Sequence, residues 1–322
     1  MAWDTRRPYV RVRLRREPSV AASCRPVPVA PHTVHDTLER VPTPLLRQVV
    51  RPFPVMAPYR TTPAPKPLTG PPLVVDDAWP AARLRRLERL RDDPDGVLVR
   101  DPVDPDDPGL SAALREATLL LPGPVPANEL CVADEPLALA RAWLLACSDD
   151  LVVLRRRGPG RLTAELLAVA FPSGWAPRLR AGADLATLHD PVADGDRLQA
   201  AAPALSEALL TKGPLTQHVW GLDPDGRLDR DPSAPDAAVR DCPPPASWWL
   251  RVERQSSLPL PALGRALFLI RPHLVPLASL DPAQRLRLHD AVASMSPQVL
   301  AYKGITEVRD DLLGWLRGPR LS

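Results

Sequence analysis

Between Leu151 and Arg271 the chain reads as five short β runs separated by turns, without the strand–helix–strand alternation that a parallel sheet demands. LVVLRRR (151–157) passes through the turn Gly158-Pro159-Gly160 into RLTAELLAVAF (161–171), which predicts a hairpin. LTQHVWGL (215–222) ends at Asp223-Pro224-Asp225-Gly226, a sequence of turn formers. SWWLRVERQ (247–255) sets Arg251, Glu253 and Gln255 on one face and Leu250, Val252 and Arg254 on the other, because strand side chains alternate. RALFLIR (265–271) is the fifth run. Helical patterns flank the group. One follows Trp79-Pro80 with Leu84, Leu87 and Leu90 on one face, and another is capped by Ser111 and runs to Leu121. Others are expected over 135–147, 204–210 and 308–316, and from the N-cap pair Asp281-Pro282 through Leu286 and Ala293. The expected fold is therefore α+β, an antiparallel sheet of about five strands flanked by helices.

Composition sets the domain boundary. The chain holds 43 prolines in 322 residues, and residues 1–72 carry one every few positions without a sustained hydrophobic period. Proline removes backbone donors and is excluded from helix interiors. Such a segment buries too little apolar surface to offset its ordering entropy. Residues 1–72 are expected to be a disordered Pro/Arg-rich tail and 73–322 the folded domain. A basic docking arm and a mis-assigned translation start are the alternatives for the tail. Residues 1–70 hold eleven Arg and one Lys against four acids, about +8, so the net +3 leaves the remainder at about −5. A slightly acidic body argues against a nucleic-acid partner, which requires a basic face on the fold. The four cysteines, Cys24, Cys131, Cys147 and Cys242, form no CxxC and suit a reducing, cytoplasmic setting. No signal peptide and no membrane span are expected from the hydropathy pattern.

Several chemistries lack their motifs. The chain has no GxGxxG, Walker, GxSxG or HExxH pattern, and His273 and His289 lie on different expected elements with no cysteine nearby.

Six segments carry a resemblance: DDLVVL (149–154), AFPSGWAP (170–177), LHDPV (188–192), LRVERQSSLPLP (250–261), ALFLIRPHL (266–274) and AYKGI (301–305). In order and spacing they resemble the haem-dependent oxidative N-demethylase family, over about 73–320. The resemblance implies a PAS-like fold holding haem b. It also implies use of O₂ to oxidise an N-methyl group of a small secondary or N-methylated amine, with release of formaldehyde. Electrons would come from a separate reductase carrying flavin and iron–sulfur centres.

The resemblance assigns His189, in LHDPV, as the axial iron ligand, and an imidazole is among the few groups able to hold haem iron. Without it, a loop histidine reads as a surface residue. Arg251 and Arg254 become candidates for the haem propionates, whose two oxygens a guanidinium fork matches, with Arg271 a further candidate. Trp175 becomes a candidate porphyrin contact, with Phe171, Trp248 and Trp249 behind it, although aromatics at such positions are more often core. Glu253 is expected to face a cationic amine or Arg251, and the bland alternative for the whole RVERQ strand is a solvated polar face. Relatives carry an Arg on the strand that reads Gln217-His218-Val219-Trp220 here. A Gln217 amide can donate to bound O₂ but carries no charge, and charge-assisted hydrogen bonds are roughly twice as strong. Only one of Gln217 and His218 can reach a pocket on a given face. That departure keeps a second reading alive, a non-catalytic haem or small-ligand sensor or carrier of the same fold. A degenerate relative without cofactor is the third. Tyr302 and Lys303 have no assigned role, and Asp149 and Asp150 are expected to cap or end an element.

Overall fold

Seven strands form one sheet: β1 (Lys66–Pro67), β2 (Leu98–Arg100), β3 (Asp150–Gly158), β4 (Arg161–Ala168), β5 (Leu215–Asp223), β6 (Trp249–Leu260) and β7 (Arg265–Pro276). Their order is β1-β5-β6-β7-β3-β4-β2, and every neighbouring pair is antiparallel. The computed structural model describes residues 52–61, 64–73, 78–103, 107–121, 135–189, 195–233 and 244–318. All of these fall in one compact unit, Leu45–Ser322. The α+β architecture agrees with the sequence, but the sheet has seven strands rather than about five. The two additional strands are edge pieces of two and three residues, too short to imprint a period of two. The five expected strands form the continuous centre of the sheet.

Part of the expected tail belongs to this body. Lys66–Pro67 pairs with Leu215–Thr216, and Val55 is 1% exposed in a cluster with Leu250, Val252 and Leu288. Residues 1–51 and 62–63 of the expected tail lie outside the described residues.

Register sorts the sheet into two faces, because paired residues point the same way. On one face Leu151, Val153, Leu166 and Leu269 pack under three helices, α1 (Trp79–Asp92), α3 (Pro108–Thr118) and α4 (Pro136–Ala146). A one-turn helix, α2 (Pro94–Val97), joins α1 to β2. The far end of the same face holds Leu250, Val252 and Val275 under α7 (Pro282–Ala293), α8 (Pro297–Tyr302) and α9 (Arg309–Arg317). The opposite face buries Val152, Leu154, Leu167 and Ile270 against α5 (Leu185–Leu188) and α6 (Gly195–Thr211). Each large apolar side chain so buried contributes about 1.5–3 kcal/mol.

The flanking helices correct three local expectations. In α1 the buried positions are Ala82, Arg86 and Leu90, one face at four-residue spacing, while Leu84 is 62% exposed. Arg86 is fully buried and takes the place an apolar residue was expected to hold. It donates to the carbonyls of Leu144, Cys147, Ser148 and Asp149 and to Asp150 Oδ1 at 2.9 Å. Asp150 in turn accepts from the N–H groups of Ala170 and Phe171. This pair therefore satisfies the last turn of α4 and ties the start of β3 to the chain leaving β4. In α3 the cap is Asp107, which accepts from Gly109 N at 2.8 Å, and the helix stops at Thr118. Asp281 caps α7 with the reciprocal Gln284 bond, as expected from Asp281-Pro282.

Candidate functional site

The loop after β4 folds back on that strand and delivers His189. Gly182 N donates to Ala164 O at 2.8 Å and Ala164 N donates to Ala183 O at 2.9 Å, so the chain before α5 lies along β4. Asp184 caps α5, accepting from Thr187 N at 3.0 Å and Thr187 Oγ1 at 2.8 Å. The Thr187 N–H holds the Asp184 carboxyl below the usual carboxylate range. Leu185 and Leu188 pack on the Val152–Leu154–Ile270 face, and His189 follows as the C-cap. Its Nδ1 lies 2.6 Å from Leu185 O. A carbonyl only accepts, so Nδ1 carries a proton, and in the neutral imidazole Nε2 keeps its lone pair. Metal-ligating histidines commonly have one ring nitrogen oriented by such a bond, leaving the other to bind the metal. His189 thus fits an axial ligand chemically. Residues 190–194, which follow it, lie outside the described residues.

The same face of the sheet continues onto β6 and β5. Gln255 is the registered neighbour of Ile270 on one side and of Gln217 on the other. Glu253 pairs in register with Val219 and Arg251 with Gly221. Val219 is 38% exposed, and among the described residues no helix roofs this part of the face. Three polar side chains are joined here. Gln217 Nε2 donates to Gln255 Oε1 at 2.9 Å, and Gln255 Nε2 donates to Glu253 Oε2 at 3.1 Å. Ser173 Oγ donates to the other carboxylate oxygen of Glu253. Ser173 comes from the FPSGW segment, which bridges in parallel to Arg230. Trp175, two residues on, is half-buried and packs against the Ile270 cluster that also receives α5.

The remaining candidates separate. Arg251 is 4% exposed and donates to Leu228 O at 2.8 Å and Phe171 O at 2.7 Å. It holds two loops to the sheet, and its Nε stands 3.7 Å from Glu253. Those bonds occupy the guanidinium fork that a propionate would need. Arg254 points to the opposite face and donates to Pro71 O. His218 shares that opposite face, and its pKa is lowered by burial and by Arg254. Arg271 pairs with Arg254 in register, also away from His189. Phe171 lies 4.9 Å below the Arg86 guanidinium, in the core. Trp248 is buried in the cluster under α7, and Trp249 stands against Gly226. Alternation alone separates Gln217 from His218 and Glu253 from Arg254, but which face holds His189 depends on how the loop after β4 folds.

Two residues without an expected role lie at the β5 edge. Lys303 donates to Trp220 O at 2.7 Å and sits 5.0 and 5.3 Å from the Tyr59 and Trp220 ring centres. Burial pushes its ammonium down to about 8, while Glu253 and Asp223 pull in the other direction. Burial pushes the neighbouring Tyr302 hydroxyl up. The AYKGI segment carries both, yet Tyr59, the third member, is contributed by the stretch expected to be tail.

Among the described residues no group of three or more His, Cys, Asp or Glu gathers to hold a metal ion by side chains alone. A haem iron asks only for an axial ligand, since the porphyrin supplies the rest. Residues 124–313 match the family model described as haem-dependent oxidative N-demethylase, alpha subunit-like. That span is more than half of the chain and contains every expected site residue, and the chain belongs to this family.

Proposed function

We propose that the chain is the haem-carrying subunit of an oxidative N-demethylase acting on a small secondary or N-methylated amine. The observation that carries this reading, within a family of that description, is His189. Its Nε2 lone pair is kept available by the bond to Leu185 O, on the face that also bears Gln217, Gln255 and Glu253. Bound at His189, haem b would supply the reductive use of O₂ and the oxidation of the N-methyl carbon. Its electrons would come from a separate flavin and iron–sulfur reductase. Trp175 would give an apolar wall, as its packing on the Ile270 cluster supports. Glu253 supplies a fixed negative charge toward which a protonated amine is drawn, and the Gln217 amide supplies a neutral donor. The role expected of Arg251 is better written as positioning, since its fork holds Leu228 and Phe171. A PAS-like fold is part of the proposal. It is supported by the order of the five long strands, in which the last lies between the first and the fourth. So is a cytoplasmic setting. No helix among the described residues is long and apolar enough to cross a membrane, and Cys147 is a free, buried thiol.

A second reading, haem held without turnover, is favoured by the neutral Gln217 and by a Glu253 carboxylate that already accepts from Ser173 and Gln255. The first experiment is an absorption spectrum of protein expressed with a haem precursor, beside His189→Ala. A Soret band at one haem per chain, lost or displaced in the variant, is expected. No Soret band after added haemin would overturn the proposal. Formaldehyde release with reductant, O₂ and dimethylamine then separates the demethylase from a sensor, which binds and stops.

A further inference from the structure

The Gln217–Gln255–Glu253 chain has a direction. A side-chain amide presents an acceptor on one side and a donor on the other, so two facing amides can be joined with either polarity. The carboxylate removes the choice. Glu253 only accepts, so Gln255 turns its Nε2 toward it at 3.1 Å and is left with Oε1 facing β5. Gln217 must then turn its own Nε2 inward, at 2.9 Å. Glu253 cannot rotate away, because Ser173 holds its other oxygen and the buried Arg251 stands beside it. The three side chains project from one face of adjacent antiparallel strands, with Gln217 and Gln255 directly opposed. Hydrogen bonds in such a chain polarise one another.

We propose that Gln255 is a positioning residue through which the charge of Glu253 fixes the orientation of Gln217, so that the second N–H of Gln217 always has the same direction over the open face. This rests on the haem reading for its purpose and not for its geometry. With iron held at His189, the relay would give the neutral Gln217 a polarity set by a carboxylate two hydrogen bonds away. Ser173 and Arg251 hold the relay at its charged end.

The test reads the relay first without haem. The chain has six glutamines, so side-chain amide resonances of ¹⁵N-glutamine-labelled protein can be assigned by substitution. Glu253→Gln, close to isosteric, is expected to move or split the resonances of both Gln255 and Gln217. Gln255→Leu is expected to move that of Gln217, with an unchanged circular dichroism spectrum to exclude misfolding. A Gln217 resonance that stays fixed and single in both variants would overturn the proposal. The carbonyl stretch of the reduced, carbon monoxide-bound protein is the second reading. It is expected to rise in Gln217→Leu and to split or rise in Glu253→Gln and Gln255→Leu. A stretch that responds to Gln217→Leu alone would overturn the positioning role of Gln255. Coupled amide resonances in a protein that takes up no haem would uphold the relay and overturn the function proposed above, so the two failures are distinct.

Discussion

Arg86 makes more hydrogen bonds than any other side chain described above, and none of them faces solvent. Removing one partner of a buried ion pair leaves the other charge uncompensated and costs about 3–5 kcal/mol. Arg86→Met is therefore expected to lower the urea unfolding free energy by about that amount, and Asp150→Asn by a similar amount, because it leaves Arg86 unpaired and turns an amide N–H toward a backbone donor. Equal, small losses in both variants would show that the site is wetter than its burial suggests. At Cys147 burial raises the thiol beyond the range in which thiolate forms, so it is expected to be unreactive toward iodoacetamide in folded protein and to react on unfolding. An arginine in a helix reads as an exposed residue, and that is why the sequence pointed to Leu84 for the buried stripe of α1. Only the five acceptors offered by the end of α4 and the start of β3 make an arginine acceptable there, and they come from residues some sixty positions away.

At the scale of elements, two helix caps make opposite predictions. Asp281→Ala removes the capping box of α7, and loss of an N-cap costs about 1 kcal/mol. That variant is expected to melt earlier with an unchanged Soret band. Asp184→Ala costs a similar amount but releases a four-residue helix whose end is His189, so its expected signature is faster loss of haem to apomyoglobin. A Soret band equally durable in both variants would separate α5 from haem retention. The five central strands were legible because their alternation survives in the sequence, and Arg251, Glu253 and Gln255 were correctly placed on one face. Five elements were not legible. β1 and β2 are too short for a period, and α2 and α5 have one turn each. α8 follows α7 so closely that Pro297 reads as the end of a helix rather than the start of the next. The candidate residues could be named from the sequence, but their grouping could not. Arg254 was set beside Arg251 by type, yet alternation sends it to the other face, and the backbone acceptors that occupy Arg251 have no signature in sequence.

Buried Asp149 and half-buried Lys303 are expected to give the whole molecule a distinctive pH dependence. Burial raises the Asp149 carboxyl to about 6, against an unfolded value of about 3.9. Below about pH 4 it is protonated in both states, and its contribution to stability is lost as pH rises through about 6. For Lys303 the folded value is about 8 against about 10.4 unfolded, so its cost persists below pH 8 and is relieved as pH climbs toward 10.4. Each unit is worth about 1.36 kcal/mol, so either group shifts stability by at most about 3 kcal/mol. Asp149→Asn is expected to gain on wild type as pH rises from about 4 to 6, and the advantage of Lys303→Met over wild type to shrink as pH rises from about 8 to 10.4. Differences that stay flat across those windows would remove the groups from the linkage. The Arg86–Asp150 clamp has a further consequence for anyone cutting the gene. The stretch shared with the family opens at residue 124, and a fragment begun there would keep Asp150 and the four carbonyls while discarding the cation that satisfies them. It would also strip α1 and α3 from the apolar face they cover, so the unit defined by kinship is smaller than the unit that can stand alone in water.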